Sequence, residues 1–109
     1  MRLQTNELIN NYEKSIMLMV LSCVQELEIK VGKTKLVSIL QGSESNYIFE
    51  NEFNKNPYYG LLQNYNSKQI NKIIEKLFNM DLVRSEDLEI DYYSKVIDVT
   101  NKGSQAINK

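Results

Sequence analysis

The sequence contains no histidine and only one cysteine and one proline among its 109 residues. Without histidine, it lacks the commonest general base and the commonest zinc ligand of proteins. The single cysteine, Cys23, excludes an internal disulfide and a cysteine-rich zinc site. Cys23 lies among apolar residues at helical spacing, which predicts a buried core thiol rather than a reactive nucleophile. Together these absences indicate a domain with no catalytic residues, no metal and no cofactor.

Long apolar runs are also missing, and no stretch approaches the roughly 20 apolar residues that a membrane-spanning helix needs. The first residues are mostly polar, which is not typical of a signal peptide. The hydrophobic fraction of 42% and the charged fraction of 25% are ordinary for a soluble globular protein. We therefore expect one domain over residues 1–109, located in the cytoplasm and without a membrane partner.

The net charge of −1 gives no overall attraction to nucleic acid, so the distribution of charge is more informative. Residues 66–84 have an excess of basic side chains, with Lys68, Lys72, Lys76 and Arg84 against Glu75 and Asp81. Residues 85–99 have an excess of acidic side chains, with Glu86, Asp87, Glu89, Asp91 and Asp98 against Lys95. A mildly basic segment is thus followed by an acidic one.

Apolar residues recur at steps of three and four in the first part of the chain. They predict a long amphipathic helix over Asn6–Glu28, with Thr5 or Asn6 as its N-cap. A second, short helix is predicted over Lys33–Gln41. Gly42 follows it, and glycine is the residue type expected where a helix ends in the left-handed conformation.

A third short helix is predicted to end at Glu50, with Ser43 or Ser45 as its cap and with Ile48 and Phe49 turned inward. The region that follows contains the only proline of the chain and is predicted to be irregular. Its tyrosines and leucines indicate a loop held against the core by aromatic rings.

Asn66 or Ser67 is predicted to cap a strong helix that extends to about Met80, and Gln69 completes the pattern of a capping box. The segments after this helix predict a hairpin, with one strand at Leu82–Arg84 and its partner at Lys95–Thr100. Thr100 is then expected to cap a short final helix. Helices that lead into a hairpin predict a mainly α fold with a small β-hairpin wing, a winged helix-turn-helix.

Three features of this layout are candidates for contact with DNA. The helix that starts at Ser67 offers free amides, a hydroxyl and the Lys68 ammonium to a phosphate. The turn at Gly42 and Ser43 could hold a second phosphate. Tyr92 and Tyr93 at the hairpin tip could stack on a base. Each feature also has a plain structural interpretation: a helix cap, a helix end, and a tip that turns one ring onto the domain.

The order and spacing of these pieces resemble the RQC domain, the winged-helix module that follows the motor and zinc subdomain of RecQ-type DNA helicases. The resemblance covers nearly the whole chain. Its motifs are Ile39-Leu40-Gln41-Gly42-Ser43, Tyr59-Gly60, the helix from Ser67 to Leu82-Val83, and Thr100-Asn101-Lys102-Gly103. The sequence departs from the family pattern at Gln41, where arginine is usual, and at Phe53-Asn54-Lys55, where many members have His-Asp-Lys.

The resemblance implies binding to duplex DNA or to a junction of single- and double-stranded DNA, and a helicase motor as neighbour in a longer protein. It implies that Ser43 contacts a phosphate and that the start of the helix, at Ser67 and Lys68, lies by the backbone. Our hypothesis is that Ser67, Lys68, Lys72 and Ser43 contact phosphates, with Lys55 behind them. Tyr93 or Tyr92 would correspond to the aromatic tip that helps some members to separate strands. The acidic hairpin and the missing basic residues imply weak and steeply salt-dependent binding.

Two other functions remain open from the sequence. The chain could be a small dimeric transcription regulator that uses its first helix as the interface and reads a palindromic site. It could also be a protein-interaction module that has kept the fold and lost DNA binding, which the acidic hairpin would favour.

Overall fold

The computed structural model describes the backbone of residues 2–87 and 95–108, and the side chains of residues 12–86 and 95–108. Within these residues the chain forms α-helices, a short 3-10 turn and a two-stranded antiparallel hairpin. In chain order they are α1 Arg2–Glu26, α2 Lys33–Gln41, α3 Asn46–Glu50, the 3-10 turn Phe53–Lys55, α4 Ser67–Asn79, β1 Val83–Asp87, β2 Lys95–Val99 and α5 Asn101–Ile107. This is the mainly α winged-helix architecture that the sequence predicts.

Helix α1 begins and ends earlier than predicted. It covers Arg2–Glu26 instead of Asn6–Glu28, so Thr5 and Asn6 lie inside the helix and do not cap it. Residues 2–26 contain neither proline nor glycine, and therefore nothing in the backbone stops the helix at Asn6. The predicted N-cap was wrong because Thr and Asn also occur inside helices, where their low helix propensity is outweighed by the surrounding residues.

Helix α2 has the predicted bounds and ends at a left-handed glycine. Gly42 has a φ of 77°, and its N–H donates to the Ile39 carbonyl oxygen. The next N–H, that of Ser43, donates to the Ser38 carbonyl oxygen at 2.9 Å. A side chain at Gly42 would be strained by this backbone conformation and would also lie 3.2 Å from the Cα of Gly60. The glycine therefore serves both the helix end and a close approach of two chain segments.

Helix α3 has Ser45 at its N-cap position, without a capping hydrogen bond from the serine side chain, and it buries only one of the two residues predicted to face inward. Ile48 has no exposed surface, whereas 46% of Phe49 is exposed. Neighbouring residues on a helix point about 100° apart, so a helix of one turn directs one of them at the core and the other past its edge. The inward prediction for Phe49 was wrong for this reason.

The irregular segment between α3 and α4 packs its tyrosines against the core, as predicted, and hydrogen bonds also hold it against α2. The Tyr59 hydroxyl donates to the Ser43 carbonyl oxygen at 2.7 Å. The Leu62 N–H donates to the Leu40 carbonyl oxygen at 2.8 Å. Leu62 is also buried in the core. This packing fixes the position from which α4 begins.

The wing is an antiparallel pair whose register runs from Val83 opposite Val99 to Asp87 opposite Lys95. Strand β1 therefore continues past Arg84, where the sequence-based prediction ended it, because its pairing with β2 supplies ladder hydrogen bonds to charged residues as well. Thr100 caps α5, as predicted, through its hydroxyl, which accepts from the Gly103 N–H at 3.0 Å.

The core lies between α1, α2, α4 and the start of the hairpin. Its fully buried large side chains are those of Val20, Leu21, Val24, Leu36, Ile39, Leu40, Ile48, Ile70, Ile74 and Leu77. Cys23 has no exposed surface and belongs to this core, which confirms the prediction of a structural thiol. Among the described residues, no helix has the length and the apolar character needed to cross a membrane. That same part of the chain holds no group of acidic or cysteine side chains arranged to bind a metal ion.

Candidate nucleic-acid interface

Helix α4 begins with a complete capping box. The Asn66 side-chain oxygen accepts from the Gln69 N–H at 2.8 Å, and the Gln69 side-chain oxygen accepts from the Asn66 N–H at 3.0 Å. The box satisfies two of the donors at this end of the helix. The N–H groups of Ser67 and Lys68 have no hydrogen-bond partner among the described residues. These two amides, at the positive end of the helix dipole, remain available for an anion.

The Ser67 hydroxyl is oriented by a side chain of α2. The Gln41 amide nitrogen donates to the Ser67 hydroxyl oxygen at 3.3 Å and approaches the Tyr65 carbonyl oxygen at 3.4 Å. Because the Ser67 oxygen accepts from Gln41, its own proton is free to point to solvent and to donate there. Gln41 supplies no charge of its own, but it fixes the end of α2 against the start of α4.

The exposed side of α4 carries two lysines, Lys68 and Lys72, which we call the lysine ridge. The buried residues of α4 are Ile70, Ile74 and Leu77, at the spacing of one helix face. At 100° per residue, both members of the ridge project opposite that face. Both are exposed, and neither lies within 4.0 Å of a carboxylate in the part of the chain that the structure describes. The ridge is therefore open to a polyanion.

The two flanks of α4 are joined to neighbouring helices by ion pairs. On one flank, Lys76 pairs with Glu13 of α1. On the other flank, Glu75 pairs with Lys33 of α2 at 3.5 Å. These contacts are exposed, so each contributes little stability. They do neutralise Glu75 and Lys76, the charged residues on either side of the lysine ridge. Among the described residues of α4, the ridge therefore carries the unpaired positive charges.

Ser43 lies at the turn after α2, two residues beyond Gln41 and thus near the start of α4. Backbone amides at this turn cannot serve the phosphate that the sequence predicts here, because the N–H groups of Gly42 and Ser43 both donate back into α2. The Ser43 carbonyl oxygen is occupied by Tyr59. The Ser43 hydroxyl oxygen accepts from the Ser45 N–H at 3.4 Å and keeps its own proton to donate.

Lys55 lies in an acidic environment at the 3-10 turn. Its ammonium is 3.0 Å from a carboxylate oxygen of Glu52. The cleft that it lines is also lined by Glu26, the last residue of α1, and by Glu28. No hydrogen bond or ion pair of the described residues connects Lys55 to Ser43 or to the start of α4. The Gln41 bridge thus joins the end of α2, two residues before Ser43, to Ser67 at the start of α4, whereas Lys55 is paired with its own neighbour.

The base of the wing holds a cluster of paired charges. The Arg84 guanidinium lies 2.6 Å from Glu86 and 3.9 Å from Asp98. Asp98 also pairs with Lys30 at 3.5 Å. The one arginine of this part of the wing is thus already neutralised by acidic neighbours. Tyr92 and Tyr93, the predicted tip residues, lie outside the described residues.

Two residues that position this surface, Gln41 and Tyr59, have contacts that the sequence does not predict. Gln41 was noted only as a missing arginine, and its bridge to Ser67 depends on a contact between helices that no local pattern reveals. Tyr59 was noted as part of a motif, but its hydroxyl holds the turn at Ser43. The only indication in the sequence is the motif Tyr59-Gly60. In the structure, Gly60 lies close to Gly42, which precedes Ser43.

Comparison with known proteins places this arrangement in a family. A family model described as the RQC domain matches residues 14–109. The "ATP-dependent DNA helicase RecQ" of Bacillus subtilis (strain 168) is 35% identical over 69 residues, which are 63% of this chain and 12% of that protein. The chain therefore corresponds to a small part of this relative's length. The match extends from within α1 to the end of α5, and the chain belongs to the RQC domain family.

Proposed function

We propose that this chain is the DNA-binding winged-helix domain of a RecQ-like ATP-dependent DNA helicase, and that it binds duplex or junction DNA mainly through the phosphate backbone. The observation that carries the proposal is the start of α4, where two free amides, the Ser67 hydroxyl and the lysine ridge face solvent together. Such a helix end attracts phosphate through both hydrogen bonds and the helix dipole.

The groups at this site favour recognition of the backbone over recognition of bases. Backbone amides, serine hydroxyls and lysine ammonium groups are the usual donors to phosphate oxygens, and such contacts carry no sequence information. We infer that a phosphate lies at the amides of Ser67 and Lys68, and that Lys72 and the Ser43 hydroxyl contact neighbouring phosphates. The chain has no motor, so any unwinding activity would belong to a longer protein that contains it.

A titration with three DNA probes tests the proposal. A fork, a blunt duplex and a single strand, each carrying a fluorophore, are titrated with the domain at about 50 mM and about 200 mM salt, because phosphate contacts weaken as salt rises. We expect the fork and the duplex to bind at the lower concentration and to dissociate at the higher. A protein that binds none of the three at the lower concentration contradicts the proposal and favours an interaction module.

Charge-reversal variants test which lysines contact the DNA. Lys68→Glu combined with Lys72→Glu is expected to abolish measurable binding at about 50 mM salt, since it replaces two attractive contacts by repulsive ones. The pair Lys102→Glu and Lys14→Glu changes the net charge equally on α5 and α1 and should bind DNA nearly as the parent does. Equal loss in both double variants would indicate attraction by overall charge alone. A dimer by light scattering with strong preference for one sequence would favour the regulator hypothesis.

A further inference from the structure

A pair of tyrosines joins α1 to the segment that leads into α4. The hydroxyl oxygens of Tyr12 in α1 and Tyr65, just before α4, are 3.3 Å apart. Tyr12 is 65% exposed, although the contact joins two segments that are 53 residues apart in sequence. Hydroxyls that reach solvent at a contact between two elements remain accessible to a ligand lying across both.

Two contacts fix the position of Tyr12 relative to the ridge. Its neighbour Glu13 pairs with Lys76, which follows Lys72 by four residues and lies on the flank of α4 that borders the ridge. At the other end, Tyr65 precedes Ser67 by two residues, and its carbonyl oxygen lies 3.4 Å from the Gln41 amide nitrogen that also contacts Ser67. These contacts join α1 to the α4 region at two points, Tyr65 just before the helix and Lys76 one turn beyond the ridge.

The hydrogen bond between the two hydroxyls leaves one proton unshared. Either hydroxyl can be the donor, and the contact with Tyr12 raises the pKa of Tyr65. The arrangement in which Tyr65 donates leaves the proton of Tyr12, the more exposed of the two side chains, for a third group. A hydroxyl that already accepts a hydrogen bond is polarised, and it becomes a better donor to a third group. Tyrosine hydroxyls are among the side-chain groups that donate to DNA phosphates.

We propose that Tyr12 donates a hydrogen bond to a phosphate of the same DNA backbone that the lysine ridge contacts, so that α1 forms one edge of the binding surface. Tyr65 acts through Tyr12 as a positioning residue. This inference rests on the proposed function, because it adds a contact to that site. It extends the surface from the Ser67 side of α4, across the ridge, to the side on which α1 lies.

Single-atom variants test the contact with little risk to the fold. Tyr12→Phe removes the hydroxyl oxygen and keeps the ring, and it should weaken binding to the fluorescent fork by about two- to tenfold at about 50 mM salt, the usual effect of one hydrogen bond. Tyr65→Phe should weaken binding less, because the Tyr12 hydroxyl remains. Tyr47→Phe, on α3, is the matched control and should bind as the parent does. Urea denaturation of each variant verifies that the domain is folded.

The salt dependence separates this contact from a general loss of charge. A neutral hydroxyl releases no counterion, so Tyr12→Phe should leave the slope of log affinity against log salt unchanged, whereas Lys72→Gln should make it less steep by about 0.9. Equal affinities of Tyr12→Phe and Tyr47→Phe would overturn the inference while leaving the proposed function standing, provided that reversal of the ridge weakens binding. If the parent domain does not bind the fork, both proposals fail.

Discussion

At the scale of single residues, Gly103 is the glycine at which an added Cβ would meet the closest neighbouring atom. A Cβ at this position of α5 would lie 2.2 Å from the Leu82 carbonyl oxygen, which is part of the backbone and cannot move away cheaply. We expect Gly103→Ala to lower the free energy of unfolding by about 1–3 kcal/mol, the usual cost of overpacking. Urea denaturation measures it, with Gln105→Ala, exposed on the same helix, as control. Equal stabilities of the two variants would show that α5 can shift without cost.

The buried thiol of Cys23 should make the stability of the domain depend on pH in the alkaline range. Burial raises the pKa of its thiol from 9.0 to about 12, and the nearby Lys30 ammonium opposes part of this shift. Below pH 9 both folded and unfolded chains keep the proton, so the group adds no pH dependence. Between about pH 9 and about 12 only the unfolded chain loses it, and stability falls as pH rises.

The variant Cys23→Ala isolates this effect from the titration of other groups. We expect the parent to lose stability relative to Cys23→Ala when urea denaturation is compared at about pH 8 and about pH 10, because the variant lacks the thiol. The thiol should also react with a disulfide reagent only after denaturant is added, since reactivity requires the thiolate and access to it. Rapid labelling of the native protein at about pH 8 would contradict the buried assignment.

At the scale of elements, α4 depends on its capping box for a defined start. Asn66→Ala removes the acceptor of the Gln69 N–H and should lower the free energy of unfolding by about 1 kcal/mol. Asn64→Ala, at an exposed position of the preceding turn, is the control and should change it by less than about 0.5 kcal/mol. Urea denaturation followed by far-ultraviolet circular dichroism measures both. Identical midpoints would mean that tertiary packing alone defines the start of α4.

The elements also show which parts of the fold a sequence can predict. Helices α2 and α4 were predicted closely because Gly42 and the Asn66 box are local signals whose chemistry acts within one turn. The start of α1 and the direction of Phe49 were not, because they depend on what lies around each element. The candidate site divides in the same way: its lysines follow from helical spacing, whereas the Gln41 bridge requires the packing of α2 on α4.

At the scale of the whole molecule, the distribution of ion pairs matters more than the net charge. Ion pairs engage Lys30, Lys33, Lys55, Lys76 and Arg84 within the described residues. The two lysines of the ridge are not engaged in this way, and they lie one helical turn apart beside the free amides of α4, so a polyanion meets positive charge there although the chain carries a net charge of −1. The wing, with Arg84 held by acidic neighbours, weakens that field instead of extending it.

Release of Arg84 should therefore strengthen DNA binding. Glu86→Gln removes the carboxylate that lies 2.6 Å from the guanidinium, and an exposed pair of this kind contributes little stability, so the fold should be retained. We expect tighter binding of the fluorescent fork at about 50 mM salt, and a salt slope steeper by about 0.9 if the freed guanidinium gains one phosphate. Glu28→Gln makes the same change in net charge at an exposed site before α2, and it should have a smaller effect. If both variants raise affinity equally and leave the slope unchanged, the wing acts only through net charge, and Arg84 makes no contact with DNA.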